Sequence, residues 1–141
     1  MRTAPPLRVR LQLDRALLEQ IVAQAHAEAP NECCGIIAAK DGTAVAVHPA
    51  KNAAASPLRY EMDGMEQYRI QTAIEDAGHE LGAIYHSHTR TDPVPSQTDI
   101  NLAFYPDALY VIVGVKDEEP DVRAWRIVDG EVSERPLEVV G

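Results

Sequence analysis

The chain has 141 residues, 45% hydrophobic and 25% charged, which fits one globular domain with a core of its own and excludes a stapled miniprotein or a disordered chain. Its 22 Asp and Glu against 13 Lys and Arg give a formal charge of −9 with no basic stripe, so neither nucleic acid nor an anionic membrane is expected as a partner. No apolar run is long enough for a bilayer span, Met1 to Pro6 lacks a signal-peptide core, and adjacent Cys33 and Cys34 point to opposite faces of a strand and do not pair, so a reducing cytoplasm is expected.

Residues 1–6 are expected to be flexible. From Leu7 to Leu13, the apolar Leu7, Val9, Leu11 and Leu13 alternate with Arg8, Arg10 and Gln12, the period of a half-buried strand. Asp14 then reads as the N-cap of a helix whose Leu18, Ile21, Val22, Ala25 and Ala29 recur at helical spacing until Pro30. Glu32 to Ala39 predicts a short buried strand, Asp41-Gly42 a hairpin turn, and Thr43 to His48 the returning strand. Lys51 to Pro57 is a small polar loop, followed by a short strand over Leu58 to Met62. Asp63 and Glu66 make a capping-box pattern for a second amphipathic helix, with Ile70, Ala73, Ile74 and Ala77 on one face and Gly78 at its end.

Leu81 to His86 predicts a strand that runs into His86-Ser87-His88. Asp92-Pro93 and Pro95 force a loop over Thr89 to Pro95, and Ser96 to Ala103 starts a short helix. Leu109 to Val115 is the most strand-like segment. Val122 to Val128 and Glu131 to Leu137 form a hairpin about Asp129-Gly130. No repeat or linker divides the chain. The expected fold class is α/β, a mixed sheet with helices packed on it.

The chemistry concentrates between His86 and Asp99. Two residues apart on a strand, His86 and His88 leave the same face while Ser87 points away. With the carboxylate of Asp99 they form a three-ligand set for zinc, and the fourth position is left for water, the mark of a catalytic site. Ser96 and Asp99 also fit a capping box, N-cap and N3 of the short helix. The two readings are compatible, since the fold-back of the cap would hold Asp99 beside the loop returning from the histidines. Glu32, by itself a strand-end carboxylate, could take a proton from a zinc-activated water and pass it to a leaving amine, which Asp99 as a ligand cannot do. His26, His48 and His79 lie outside the pattern. Cys33 and Cys34 read as small buried hydrophobes.

Glu…His-Ser-His-x7-Ser-x2-Asp resembles, at every position, the signature of the JAMM metallopeptidases, the catalytically competent MPN domains. The resemblance implies a single JAMM/MPN domain over residues 1–141, with the deaminase-like mixed sheet and flanking helices of that family. It implies one zinc ion and a catalytic water held by His86, His88 and Asp99, with Glu32 as the proton shuttle and Ser96 as a donor to the oxyanion. The reaction would be hydrolysis after the C-terminal glycine of a ubiquitin-like protein.

Tyr85-His86-Ser87-His88-Thr89, Asn31-Glu32-Cys33-Cys34-Gly35-Ile36 and Ser56-Pro57-Leu58-Arg59-Tyr60-Glu61-Met62 are similar to the short bacterial Mec-type members. These release cysteine from the Gly-Gly tail of a thiocarboxylate sulfur carrier in cysteine biosynthesis. The implied partner is a ubiquitin-like β-grasp protein ending in Gly-Gly, and a homodimer is compatible with the pattern. The extended tail is expected to bind by strand addition in a groove between Thr89–Pro95 and Leu58–Met62, with Arg59, Tyr60 and Thr89 on its walls. Arg59 there either steadies a carboxylate or is simply solvated. Two other activities remain open on this pattern: removal of a ubiquitin-like modifier from protein lysines, and a non-catalytic MPN scaffold, which would lack the ligands. A zinc deaminase would need His-x-Glu and a later Pro-Cys-x-x-Cys, and the chain has neither.

Overall fold

The computed structural model describes residues 10–141, so Leu7 to Val9 of the first expected strand, and residues 1–6 with their expected flexibility, lie outside the described residues. The elements run β1 (Leu11–Asp14), α1 (Arg15–Glu28), β2 (Cys34–Lys40), β3 (Thr43–Ala50), α2 (Gly64–Asp76), β4 (Glu80–His88), α3 (Gln97–Asn101), β5 (Leu109–Gly114), β6 (Asp121–Val128), β7 (Glu131–Arg135) and β8 (Leu137–Val140). Asp14 caps α1 by accepting the Ala16 N–H at 2.7 Å. Asp63 caps α2 through the Glu66 N–H, but the reciprocal half of the expected capping box is missing, because the Glu66 carboxylate accepts the Lys51 N–H at 3.0 Å instead. Both Asp-Gly turns have the positive φ at each central residue that tight hairpins require, 52° and 82° at Asp41 and Gly42, 51° and 79° at Asp129 and Gly130.

All eight strands join one mixed sheet in the order β7-β6-β5-β4-β2-β3-β1-β8. The strand expected over Glu131 to Leu137 is split at Pro136, which has no N–H for a ladder. Before it, β7 pairs antiparallel with β6. After it, β8 pairs parallel with β1. The two halves therefore stand at opposite ends of the strand order, yet only Pro136 joins them. One residue spans about 3.5 Å, so the sheet must curl until its edges meet. The Leu11 N–H donates to the Pro136 carbonyl at 3.2 Å at that seam.

The curl wraps α1, which touches β1, β3, β5 and β8. Its Ile21 and Ala25 pack with Leu11, Leu13, Ile37, Tyr85, Val111 and Val113 in the main core. On the other face, Ile74 of α2 covers Ile36 and Ala38, while Ile84, Tyr110, Ile112 and Trp125 form a second cluster under the chain around α3. Leu58 to Met62, expected as a strand, makes only a single bridge between Asn52 and Met62. β2 starts at Cys34, so Glu32 precedes the strand it was expected to begin, and β4 extends to His88. No helix among the described residues is long and apolar enough to cross a membrane.

Gly35 faces Tyr85 across the β2–β4 pair, and a side-chain carbon there would overlap the Tyr85 ring. The fully buried phenol donates to the Gln24 side chain, and Gln24 Nε2 donates to the Cys34 carbonyl at 3.0 Å, tying α1 to the head of β2. Gly35→Ala should therefore destabilise the protein by about 1–3 kcal/mol, the cost of overpacking a core. Urea unfolding is expected to show a lower midpoint with an unchanged slope.

Candidate metal centre and active site

Alternation along β4 sends Tyr85 and Ser87 to the α1 side and Ile84, His86 and His88 to the other. Three ligand atoms converge there. His86 Nε2 lies 3.3 Å from His88 Nε2, and Asp99 Oδ2 lies 3.2 Å from the first and 3.0 Å from the second. All three residues are buried, at 1%, 4% and 6% exposure. A tetrahedral ion with bonds of about 2.0–2.1 Å has ligand-to-ligand edges of about 3.3 Å, so this triangle is already the face of such a polyhedron. His86, His88 and Asp99 could hold a metal ion, and they are consistent with a zinc site.

For Asp99, burial would raise the pKa, but the hydrogen bonds from His86 and His88 outweigh it and keep the carboxylate ionised. Burial lowers His86, leaving the imidazole neutral. At His88 burial also lowers the pKa, but the Asp99 carboxylate and the Asp92 carbonyl outweigh it. The Asp92 carbonyl lies 2.8 Å from His88 Nδ1. A carbonyl only accepts, so Nδ1 carries a proton, and Nε2 is the ring nitrogen turned toward Asp99 and the candidate metal position. His86 is held differently: its Nδ1 has no partner among the described residues, and Tyr60 stacks on its ring at 4.5 Å and 22°.

Asp99 reaches the centre through the capping box of α3. Ser96 Oγ accepts the Asp99 N–H at 3.0 Å, and Asp99 Oδ2 accepts the Ser96 N–H at 2.9 Å. The same oxygen faces both imidazoles, so cap and ligand are one geometry. Ser96 is exposed and its hydroxyl proton remains free to donate. The loop from the histidines to α3 is pinned by Trp125, whose indole N–H donates to the Pro93 carbonyl at 2.9 Å.

Glu32 is 3% exposed, and its Oε1 has no partner among the described residues. Burial pushes its carboxyl up to about 8, with His88 pulling down and Asp99 pushing up. Extending the antiparallel register Cys34↔His86 by two residues sets Glu32 opposite His88. Two groups outside the expected set place it there. Ser87 Oγ accepts the Cys33 N–H at 2.8 Å, and Asn52 Nδ2 donates to the Glu32 carbonyl at 2.9 Å. A hydroxyl aimed into an apolar face must find a partner, a signal that could have marked Ser87. Nothing in the small polar loop singles out Asn52.

The groove residues divide. Arg59 and Tyr60 line a cleft of about 330 Å³ with Gln67, Phe104, Tyr105 and Tyr110. Leu102, Phe104 and Tyr105 line its other side. The Arg59 guanidinium is half-exposed and pairs loosely with Glu61 at 3.5 Å. Thr89 does not line that cleft: its hydroxyl donates to the Pro30 carbonyl at 3.0 Å and fastens the loop to the end of α1.

Residues 14–128 match the family model of prokaryotic homologues of the JAB domain. The chain is 42% identical over 127 residues to the CysO-cysteine peptidase of Mycobacterium tuberculosis, covering 88% of this chain and 87% of that one. It is 43% identical over 91 residues to the desampylase of Haloferax volcanii, covering 62% and 66%. The solution structure of a Desulfitobacterium hafniense protein superposes with a TM-score of 0.85 at 28% identity, covering 92% of each chain. The chain belongs to the prokaryotic JAB-domain family, the JAMM/MPN group, and is a hydrolase of that type.

Cys33 and Cys34 are fully buried and unpaired, and burial pushes their thiols up to about 11 and about 12. At pH 8 both should resist iodoacetamide in the folded protein and react only on unfolding. Intact-mass spectrometry checks this, and rapid uptake of one label by the native protein would contradict it.

Proposed function

We propose that this JAMM hydrolase is a zinc metallopeptidase that cleaves after the C-terminal Gly-Gly of a ubiquitin-like sulfur carrier and releases cysteine for cysteine biosynthesis. One observation carries the chemical half of the reading: a buried triangle of ligand atoms on the same side of the sheet as a buried carboxylate, Glu32, whose Oε1 has no hydrogen-bond partner among the described residues. The similarity to the CysO-cysteine peptidase supports the carrier and the leaving group. The unpaired cysteines fit a cytoplasmic setting.

In this reading His86, His88 and Asp99 hold the zinc ion. The ion supplies Lewis-acid activation of a water and of the scissile carbonyl. Glu32 takes a proton from the attacking water and delivers it to the departing amine, so that water adds across the C–N bond and a carboxylate and an amine leave. The Ser96 hydroxyl, accepting the Asp99 N–H with one lone pair, donates a hydrogen bond to the carbonyl oxygen as negative charge develops and keeps its proton.

The substrate tail lies in the cleft beside Tyr60. The Arg59 carbonyl and both backbone groups of Glu61 bond toward Asn52 and Ala53. In an extended chain the Tyr60 N–H and carbonyl then point the opposite way, as a free edge for an extended peptide. Glycines suit a channel walled by Tyr60, Phe104 and Tyr105. The similarity to the desampylase favours a second reading, release of a ubiquitin-like modifier from protein lysines.

Ubiquitin-like proteins extended with Gly-Gly-Cys or linked to lysine, incubated with the enzyme and read by mass spectrometry, separate the two readings: cysteine release supports the first, and lysine-linked cleavage alone the second. Glu32→Gln should keep one zinc per chain and lose about 10²–10⁴ in turnover. Ser96→Ala should lose about 10²–10³, with about 1 kcal/mol of stability from the weakened cap. Undiminished turnover by Glu32→Gln would sink the mechanism.

A further inference from the structure

The loop after β3 is organised by one amide. Asn52 is 5% exposed and its side chain is saturated. Nδ2 donates to the carbonyls of Glu32 at 2.9 Å and Arg59 at 3.0 Å, with a longer approach to that of Ser56 at 3.5 Å. Oδ1 accepts the N–H groups of Ala54 and Glu61, each at 3.0 Å. Carbonyls surround one end of the amide and N–H groups the other, so its orientation is fixed. The same loop holds Glu32 a second time, since the Glu32 N–H donates to the Ser56 carbonyl at 2.9 Å. Both backbone groups of Glu32, which lies outside the regular ladder of β2, are thus bonded to residues 52–56. The far end of the loop carries Tyr60, stacked on His86.

We propose that Asn52 is a positioning residue of the hydrolytic reaction, joining the Glu32 main chain and the Tyr60 segment into one rigid piece. The inference rests on Glu32 acting as the proton shuttle. Oε1 has no hydrogen-bond partner among the described residues, so the main chain sets where the carboxylate stands relative to the metal ligands and to a tail docked along Tyr60. A misplacement of about 1 Å at a reacting group costs about 10²-fold in rate.

Asn52→Asp is the discriminating variant. It keeps both acceptor bonds but turns the two donor bonds, to Glu32 and Arg59, into oxygen–oxygen contacts. Turnover of a Gly-Gly-Cys-extended ubiquitin-like protein should fall about 10- to 100-fold, with zinc content unchanged at one per chain. The decisive readout is a double-mutant cycle. In the Glu32→Gln background, with residual turnover followed by mass spectrometry, Asn52→Asp should cost less than about twofold, because residues acting as a unit are not additive. Should Asn52→Asp not fold, Asn52→Ser, whose single hydroxyl cannot serve both carbonyls, is read in the same cycle. An equal loss in both backgrounds, or no loss in the wild-type background, overturns the role of Asn52 while leaving the mechanism intact. Full turnover by Glu32→Gln alone overturns the base assignment and this inference with it.

Discussion

The antiparallel pairing of the start of β2 with the end of β4 is the constraint on which the site depends. Cys34 opposite His86 continues to Glu32 opposite His88, so one register places the carboxylate and both imidazoles on the same side of the sheet. Side chains alternate with period two, and a slip of one residue would send Glu32 to the α1 side. Ser87 guards against that slip from the other face. Its hydroxyl takes the Cys33 N–H at 2.8 Å while its own N–H donates to the Cys33 carbonyl at 3.1 Å. The residue between the two histidines thus locks the strand that delivers Glu32.

Gathering these groups in the interior works against the usual solvation of polar side chains. The chain offsets that by using single atoms for several purposes. Asp99 Oδ2 accepts from the Ser96 N–H and faces both imidazoles. A five-residue helix such as α3 is too short to persist alone in water. Its cap, the indole of Trp125 on Pro93, and Ile100 packed on the cluster of Ile84 and Tyr110 hold it where Asp99 must be.

Much of this was legible in the sequence because it is local. The period-two spacing of His86 and His88, the box of Ser96 and Asp99, and the two Asp-Gly turns depend on neighbours within a few residues. What was not legible depends on distant partners. Leu58 to Met62 has the composition of a strand, yet its bonds go chiefly to Asn52, whose side chain stands where a neighbouring strand would. The split at Pro136 could be suspected from proline, but that the next four residues pair with β1 follows from the curl of the whole sheet. Glu66 completes the pattern of a capping box and is then captured by Lys51. Local pattern named each residue type, and tertiary context chose its partner.

The two histidines show how that division shapes the centre. His88 is oriented by the Asp92 carbonyl, which belongs to the same loop that brings Asp99. His86 has no such partner at Nδ1 among the described residues and leans on the ring of Tyr60, from the loop that also holds Glu32. One ligand pair, His88 and Asp99, is therefore organised by residues 89–99, and the remaining ligand and the carboxylate by residues 52–60. The halves meet where Asp99 Oδ2 faces His86 Nε2 at 3.2 Å. Residues 89–99 are contiguous, so their half of the centre can be read from spacing alone. The other half needs Glu32, the 52–60 loop and His86 to come together from three separate stretches of chain, which only the completed sheet can arrange.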